Sequence, residues 1–162
     1  MAVPVGAPGT DAASQQFTTF TLDGHLFGVE VETVQEVIRY QKTTRVPLAP
    51  GSIGGLINLR GQVITALDLR HRLGMPDRRQ GQLPMNVVVR TEDGAVSLLV
   101  DQIGEVIETD ARHFEVPPDT VTAEARDLIR GAYKLDGSLL LALDVPRTVD
   151  LEPAFADAAR AR

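Results

Sequence analysis

The stretch that decides the fold is GLINLRGQVITALDL at residues 55–69, which aligns without a gap on GAYKLDGSLLLALDV at residues 131–145. This register places Arg60-Gly61 on an Asp-Gly pair at 136–137. Asp-Gly is a typical hairpin dipeptide, because its glycine accepts a positive φ angle without steric cost. We therefore expect a turn between two strands, in which Gly61 supplies the positive φ and Arg60 projects outward.

The match extends along the chain, because the second half repeats the order of features in the first. Asp-Gly occurs at 23–24 and 93–94, VETVQEV at 31–37 resembles VDQIGEV at 100–106, and Val-Pro occurs at 46–47 and 116–117. Each half predicts about five short strands. The expected fold is all-β with short helices: two small five-stranded barrels packed together, with halves at roughly 16–75 and 84–150. The repeat leaves open whether strands are exchanged between the halves.

The Asp-Gly turns define three predicted hairpins. They pair residues 17–22 with 26–31, 87–90 with 96–100, and 132–135 with 139–143. Residues 32–39 are expected to form a short helix or turn, because their apolar residues have helical spacing. Residues 1–15 predict a flexible N-terminal tail, and residues 151–162 predict a C-terminal helix or tail.

Composition and charge argue against several classes of partner. The net charge of −6 and the absence of Trp disfavour nucleic acid, whose binding requires a basic surface and stacking side chains. No apolar run approaches the roughly 20 residues of a membrane-spanning helix. The N-terminus also lacks the pattern of a secretory signal, so we expect a cytoplasmic protein with no direct membrane insertion.

The sequence contains no recognisable catalytic or metal-binding pattern. It has no cysteine, and its histidines at 25, 71 and 113 lack the spacing of a metal site. We therefore expect no enzyme activity, no cofactor and no metal. Asp68 and Asp144 hold equivalent places in the repeat, which favours strand-end aspartates that accept backbone hydrogen bonds over a catalytic pair. A polar pocket around either one would instead favour an enzyme or a small-ligand barrel.

Glu36 and Arg60 form a polar pair that the residues themselves suggest. Glu36 lies between apolar residues, so we expect it to be partly buried and to need a partner. Arg60 is one candidate; the alternative is that it extends into solvent from its turn. Val31 and Val34 belong to a run that is more apolar than a short exposed segment requires. They therefore fill the core or line a protein-binding groove.

An ordered series of motifs resembles the CheW family of bacterial chemotaxis coupling proteins. The matching residues are FTL (20–22), FGVEV (27–31), VQEV (34–37), TRVP (44–47), IGGLINLRG (53–61), LDLR (67–70), LVD (99–101), EV (105–106) and the hairpin at 131–144. The resemblance covers roughly residues 16–150, and its Asn-Leu-Arg-Gly block is specific.

The resemblance implies two SH3-like five-stranded β-barrel subdomains. It also implies a non-enzymatic adaptor that couples methyl-accepting chemotaxis receptors to the regulatory domain of the histidine kinase CheA, with other CheW copies as further neighbours in rings. Such an adaptor is cytoplasmic and is recruited to receptor arrays at the inner face of the membrane. An adaptor of a sister kinase pathway, such as pilus motility, is the alternative that the sequence leaves open.

The resemblance further implies which residues bind partners. Receptor contact in the family uses apolar residues between the subdomains, and Val31 and Val34 match that surface. Arg60, which Gly61 follows, matches a functionally important arginine of the family. Glu36 matches the glutamate that pairs with this arginine.

Two positions depart from the family pattern. Thr65 stands where members usually have proline, and Ser97 stands where they often have glycine. Neither change should abolish the fold. Both bear on the local shape of an edge or groove, and therefore on partner specificity.

Overall fold

The computed structural model describes residues 14–119 and 121–151. Most of the predicted N-terminal tail and the predicted C-terminal helix or tail lie outside the described residues. The first strand begins at Ser14, inside the segment predicted as a tail.

Strands dominate the described part of the chain. They are β1 (Ser14–Leu22), β2 (His25–Glu30), β3 (Val34–Ile38), β4 (Ile53–Leu59), β5 (Gln62–Asp68), β6 (Met85–Thr91), β7 (Gly94–Val100), β8 (Gln102–Asp110), β9 (Phe114–Glu115), β10 (Ile129–Leu135) and β11 (Ser138–Leu143). The helices are short: α1 (Leu69–Arg72), α2 (Ala123–Leu128) and α3 (Val145–Val149). Two 3-10 turns, Val31–Thr33 and Ala111–His113, precede β3 and β9.

The strands form a five-stranded sheet in the order β3-β6-β7-β5-β4 and a six-stranded sheet in the order β8-β1-β2-β11-β10-β9. In the repeat, strands β3, β6, β7, β5 and β4 correspond to β8, β1, β2, β11 and β10. The first five strands of the two sheets therefore have the same order. The additional strand, β9, pairs with β10 through two residues, and the other sheet has an isolated bridge between Thr44 and Leu56 at the corresponding place. The predicted all-β class with two SH3-like subdomains is confirmed, except that one sheet has six strands.

Each sheet takes one hairpin from the other half of the chain. The β1–β2 hairpin joins the later strands, because β1 pairs with β8 and β2 runs parallel to β11. The β6–β7 hairpin joins the earlier strands in the same way, because β6 pairs with β3 and β7 runs parallel to β5. Neither sheet therefore coincides with one of the halves expected at 16–75 and 84–150. The chain passes between the sheets at Val31–Thr33 and again at Asp101.

The prediction of a helix or turn at 32–39 is wrong for most of its length. Only the 3-10 turn precedes β3, in which Val34 and Val37 lie opposite Val89 and Val87 of β6. A register shift between Val34 and Glu36 marks a bulge, which puts these valines on one face although they are three positions apart. A bulged strand thus reproduced the spacing of a helix, while β-branched residues favoured the strand.

The largest apolar core contains residues from both sheets. Phe20 and Phe27 are fully buried in it with near-parallel rings, whose centroids lie 6.2 Å apart. Strand β7 shows the alternation that builds this layer, because Leu98 belongs to the shared core and Leu99 to a smaller cluster within the five-stranded sheet. Burial of apolar surface therefore holds the two sheets together as well as filling each one.

We expect Phe20→Ala to lower the free energy of unfolding by about 3–5 kcal/mol, because it leaves a cavity in the shared core. Urea denaturation should show a lower midpoint with an unchanged m-value. The matched control is Phe114→Ala, since Phe114 is half exposed, and its loss should be clearly smaller. Equal losses for the two variants would contradict the placement of the core.

Candidate functional site

The β4–β5 hairpin closes at Arg60 and Gly61, as the repeat predicted. Leu59 pairs with Gln62, and the two turn residues have φ angles of 52° and 86°. The amide of Gly61 donates to the side-chain oxygen of Asn58 at 2.9 Å. Arg60 itself is thus left-handed, which the sequence assigned to Gly61 alone and which is uncommon for a residue with a side chain.

Arg60 is bound to Glu36. Its Nη2 donates to the Oε2 of Glu36, whose side chain is only 22% exposed, whereas that of Arg60 is 69% exposed. Glu36 lies on β3 and Arg60 follows β4, and these two strands are the opposite edges of the five-stranded sheet. The pair therefore brings the two edges of the sheet together, with Ile38 and Leu59 packed on the apolar cluster of this sheet.

The two candidate valines come shortly before Glu36 in the chain, one in the 3-10 turn and one on β3. Val31 begins the 3-10 turn and is half-buried, and Val34 packs against the shared core. Val37 continues the series and is 42% exposed. We call Val31, Val34 and Val37 the apolar edge. On β3 it alternates with Glu36, which lies opposite Val88 of the cluster within the sheet.

A buried ion pair that the sequence did not reveal lies at the second passage between the sheets. Asp101 accepts from Arg70 Nε at 2.9 Å and from Nη2 at 2.6 Å, and both side chains are less than a tenth exposed. Asp101 also accepts the backbone amide of Asp23 at 2.8 Å. Arg78 approaches the same carboxylate at 3.0 Å through Nε and donates to Asp68 at 3.1 Å. The motifs LDLR and LVD contain Arg70 and Asp101, but no local pattern in the sequence indicates that these two side chains meet.

The environment of Asp101 lowers the pKa of its carboxyl below the ordinary value. Burial alone would raise this pKa, but hydrogen bonds from Arg70 and from the Asp23 amide outweigh it, assisted by the charges of Arg70 and Arg78. The hydrogen bond to Asp101 raises the pKa of Arg70 in turn. The pair is therefore charged at neutral pH.

Asp68 and Asp144 have the structural role that the repeat favoured. Asp68 accepts the Arg70 amide at 3.2 Å at the start of α1, and Asp144 accepts the Arg147 amide at 3.0 Å at the start of α3. A polar cavity of about 490 Å³ lies beside Arg70 and Asp101, and its lining includes neither of these aspartates. This cavity is therefore not the polar pocket around Asp68 or Asp144 that would favour an enzyme or a small-ligand barrel.

Ser97 is fully buried and has a specific partner. Its hydroxyl donates to Asn86 Oδ1 at 2.7 Å, and the Asn86 amide donates to the carbonyl of Arg39 at 3.1 Å. A glycine at this position would leave the Asn86 oxygen without that donor. Thr65 is half-buried on β5, between Leu56 and Val96 of the neighbouring strands.

Within residues 14–119 and 121–151, no three His, Asp or Glu side chains are grouped so that they could hold a metal ion. Over the same residues, no helix has the length and apolar character needed to cross a membrane.

Residues 16–152 match the family model described as the CheW-like domain. The chain belongs to the CheW family. It is 29% identical over 138 residues to the chemotaxis protein CheW of Bacillus subtilis, an alignment that covers 85% of this chain and 88% of the relative. It is 27% identical over 137 residues to the CheW of Treponema pallidum, covering 80% and 79%. The crystal structure of the scaffolding protein TtCheW from Thermoanaerobacter tengcongensis is similar, with a TM-score of 0.70, 30% identity, and coverage of 80% of this chain and 88% of that one.

The turn conformation of Arg60 gives a stability prediction. Arg60→Asn removes the exposed ion pair, worth about 0–1 kcal/mol, but keeps a residue that tolerates the left-handed region, so the free energy of unfolding should change by less than about 1 kcal/mol. Arg60→Val removes the same pair and adds a β-branched side chain at positive φ, so it should cost about 1–2 kcal/mol more. Urea denaturation measures both; equal stabilities would contradict the left-handed geometry.

The Asp101 ion pair should make stability fall in acid. Its folded-state pKa lies below the unfolded value of about 3.9, so its contribution is present above about pH 4 and is lost as the pH falls below it. Asp101→Asn should lower the free energy of unfolding at pH 7 and weaken its dependence on pH between about 5 and 2.5. The matched control is Asp136→Asn at an exposed turn. An unchanged acid profile in Asp101→Asn would refute the assignment.

Proposed function

We propose that this protein is a non-enzymatic chemotaxis adaptor that couples methyl-accepting receptors to the histidine kinase CheA. The observation that carries the proposal is the Arg60 turn, bonded to Glu36, which lies between Val34 and Val37 of the apolar edge on β3, in a chain of the CheW family. An adaptor acts by holding two partners in one complex, so it needs separate surfaces rather than a catalytic pocket.

The apolar edge is the proposed receptor surface. Val31 and Val37 are only partly buried, although Val34 next to them contributes to the shared core. Val106, the repeat counterpart of Val37 on β8, is 57% exposed. Burial of such side chains against an apolar receptor segment would contribute affinity, while Glu36, Arg60 and the adjoining Gly61 orient the contact.

Two further segments are the proposed surfaces for the kinase regulatory domain and for other copies of the chain in rings. Residues 39–48, the basic segment, contain Arg39, Lys42 and Arg45 and no acidic residue. Residues 108–119, the acidic segment, contain four acidic residues and one arginine. They occupy corresponding places in the repeat, and Leu48 and Val116 are well exposed on them. Opposite charge with exposed apolar side chains suits a head-to-tail contact between modules of one fold.

This function places the protein in the cytoplasm, recruited to receptor arrays at the inner face of the membrane. An adaptor of a sister kinase pathway would use the same surfaces with another kinase. The choice of kinase in the experiment separates the two.

Reconstitution of receptor, CheA and this protein tests the proposal. Omission of the protein should abolish activation of the kinase, and Arg60→Ala should reduce it by about tenfold or more, equivalent to about 1.4 kcal/mol of coupling, while the protein stays folded. Val31→Asp should weaken receptor binding, because it places a charge on the apolar edge.

Arg79→Ala and Leu83→Asp are the matched controls, since both residues are exposed in the loop before β6. Kinase activation that persists without the protein would overturn the proposal. Activation of the kinase of a sister pathway, but not of CheA, would support the alternative adaptor role. An unfolded Arg60→Ala variant would contradict the assignment of Arg60 to signalling.

A further inference from the structure

The two passages between the sheets are equivalent in the repeat but differ in how they are held. The first passage is the turn Val31–Thr33 between β2 and β3, and the second is Asp101 between β7 and β8. The alignment of VETVQEV with VDQIGEV places Glu32 on Asp101. Glu32 is exposed, whereas Asp101 is buried, so the two carboxylates have opposite environments.

At the second passage, side chains hold the sheets to each other. Arg70 lies on α1, directly after β5 of the five-stranded sheet, and it binds Asp101, which in turn accepts the Asp23 amide from the β1–β2 turn of the six-stranded sheet. Arg70 Nη1 also donates to the carbonyl of Pro76 at 2.9 Å. Arg72, on the same helix, donates to the carbonyl of Thr148 at 2.9 Å in α3, which follows β11. Helix α1 and Asp101 thus join the two sheets at this passage.

The first passage is held differently. Among the described residues, its side-chain hydrogen bond comes from Arg90 of β6, which donates to the carbonyl of Glu32 at 3.1 Å and also to that of Val34, the first residue of β3, at 3.3 Å. Arg90 belongs to the same sheet as β3, so these bonds hold the passage to one sheet only. The repeat counterpart of Arg70 is Pro146, which has no charge to offer Glu32.

We infer that Asp101 is a positioning residue, whose bonds to Arg70 set the angle between the two sheets. Because these bonds fix the second passage, the sheets shift relative to each other at the first passage when a partner binds the apolar edge. The shared core is apolar and attracts without direction, so it permits small sliding of one sheet over the other. The hydrogen bonds of a bidentate arginine–carboxylate pair are directional and define one arrangement. The part that concerns the partner rests on the proposed function; the part that concerns the sheets does not.

The test measures the arrangement of the sheets in the protein alone. The chain has no cysteine, so Glu92→Cys in the β6–β7 turn and Asp136→Cys in the β10–β11 turn provide one spin label on each sheet. The distance between the labels is compared in the parent and in Arg70→Met/Asp101→Leu. That pair of substitutions replaces the buried ion pair by apolar side chains, a change that proteins often tolerate without loss of stability.

We expect the double variant to remain folded, with a broader distance distribution whose mean shifts by about 1–2 Å, the size of shift that packed elements make when they slide. The matched control is Asp110→Leu/Arg112→Met, which removes an ion pair confined to one turn, where Arg112 Nε and Nη2 both donate to Asp110 Oδ2. This control should keep the parent distribution. A double variant with the parent mean and width would overturn the inference.

If the double variant does not fold, Arg70→Lys carries the test, because lysine keeps the charge but cannot form the bidentate contact. The same broadening is expected, and the parent distribution would again overturn the inference. A receptor fragment added to the labelled parent should shift the distance, and this shift should be larger in the double variant. Absence of any receptor effect, with the broadening intact, would count against the proposed function and leave the positioning role of Asp101 supported.

Discussion

A buried carboxylate needs compensation, and Asp101 obtains it from groups that are distant in the chain. Desolvation costs several kcal/mol per ion, so Arg70 and Arg78 have to stay beside it, and the Asp23 amide completes its hydrogen bonds. These groups belong to α1, to the loop before β6 and to the β1–β2 turn. The remaining structure depends on this convergence, because it defines how the sheets meet at one end. A buried ion pair is better suited to specifying one arrangement than to adding stability.

The exchanged hairpins explain why the sheets act as one unit. Each sheet is completed by a hairpin from the other half, so a duplicated sequence does not yield two independent domains. The largest apolar core is built by residues of both sheets, such as Phe20 of one and Leu98 of the other. The proposed partner surfaces, which lie on different sheets, are consequently parts of one folded body. The proposed coupling role requires this property, because a change at one partner must reach another.

Much of the candidate site could be predicted from local pattern. The hairpin turn at Arg60 followed from its register with an Asp-Gly pair, and the partly buried Glu36 indicated a partner before any distance was available. The left-handed conformation of Arg60 could not be predicted, because arginine rarely adopts a positive φ and the Asp-Gly turns themselves differ: Asp23 is left-handed, whereas Asp136 is not. The helix expected at 32–39 failed for a specific reason: a bulge after Val34 gave a strand the apolar spacing of a helix.

The sequence by itself determined the hairpins, the repeat, the strand-end roles of Asp68 and Asp144, and the family, since each depends on residues close in the chain or on an ordered series of motifs. The tertiary structure alone decided which strands share a sheet, which face of β3 carries the apolar edge, and that Arg70 meets Asp101 across 31 positions. The physical reason is that a turn sets the register of two adjacent strands, whereas pairing between distant strands depends on burial summed over the whole molecule. The partners of buried charges likewise depend on the packing of the whole molecule, and no periodic pattern in the sequence indicates them.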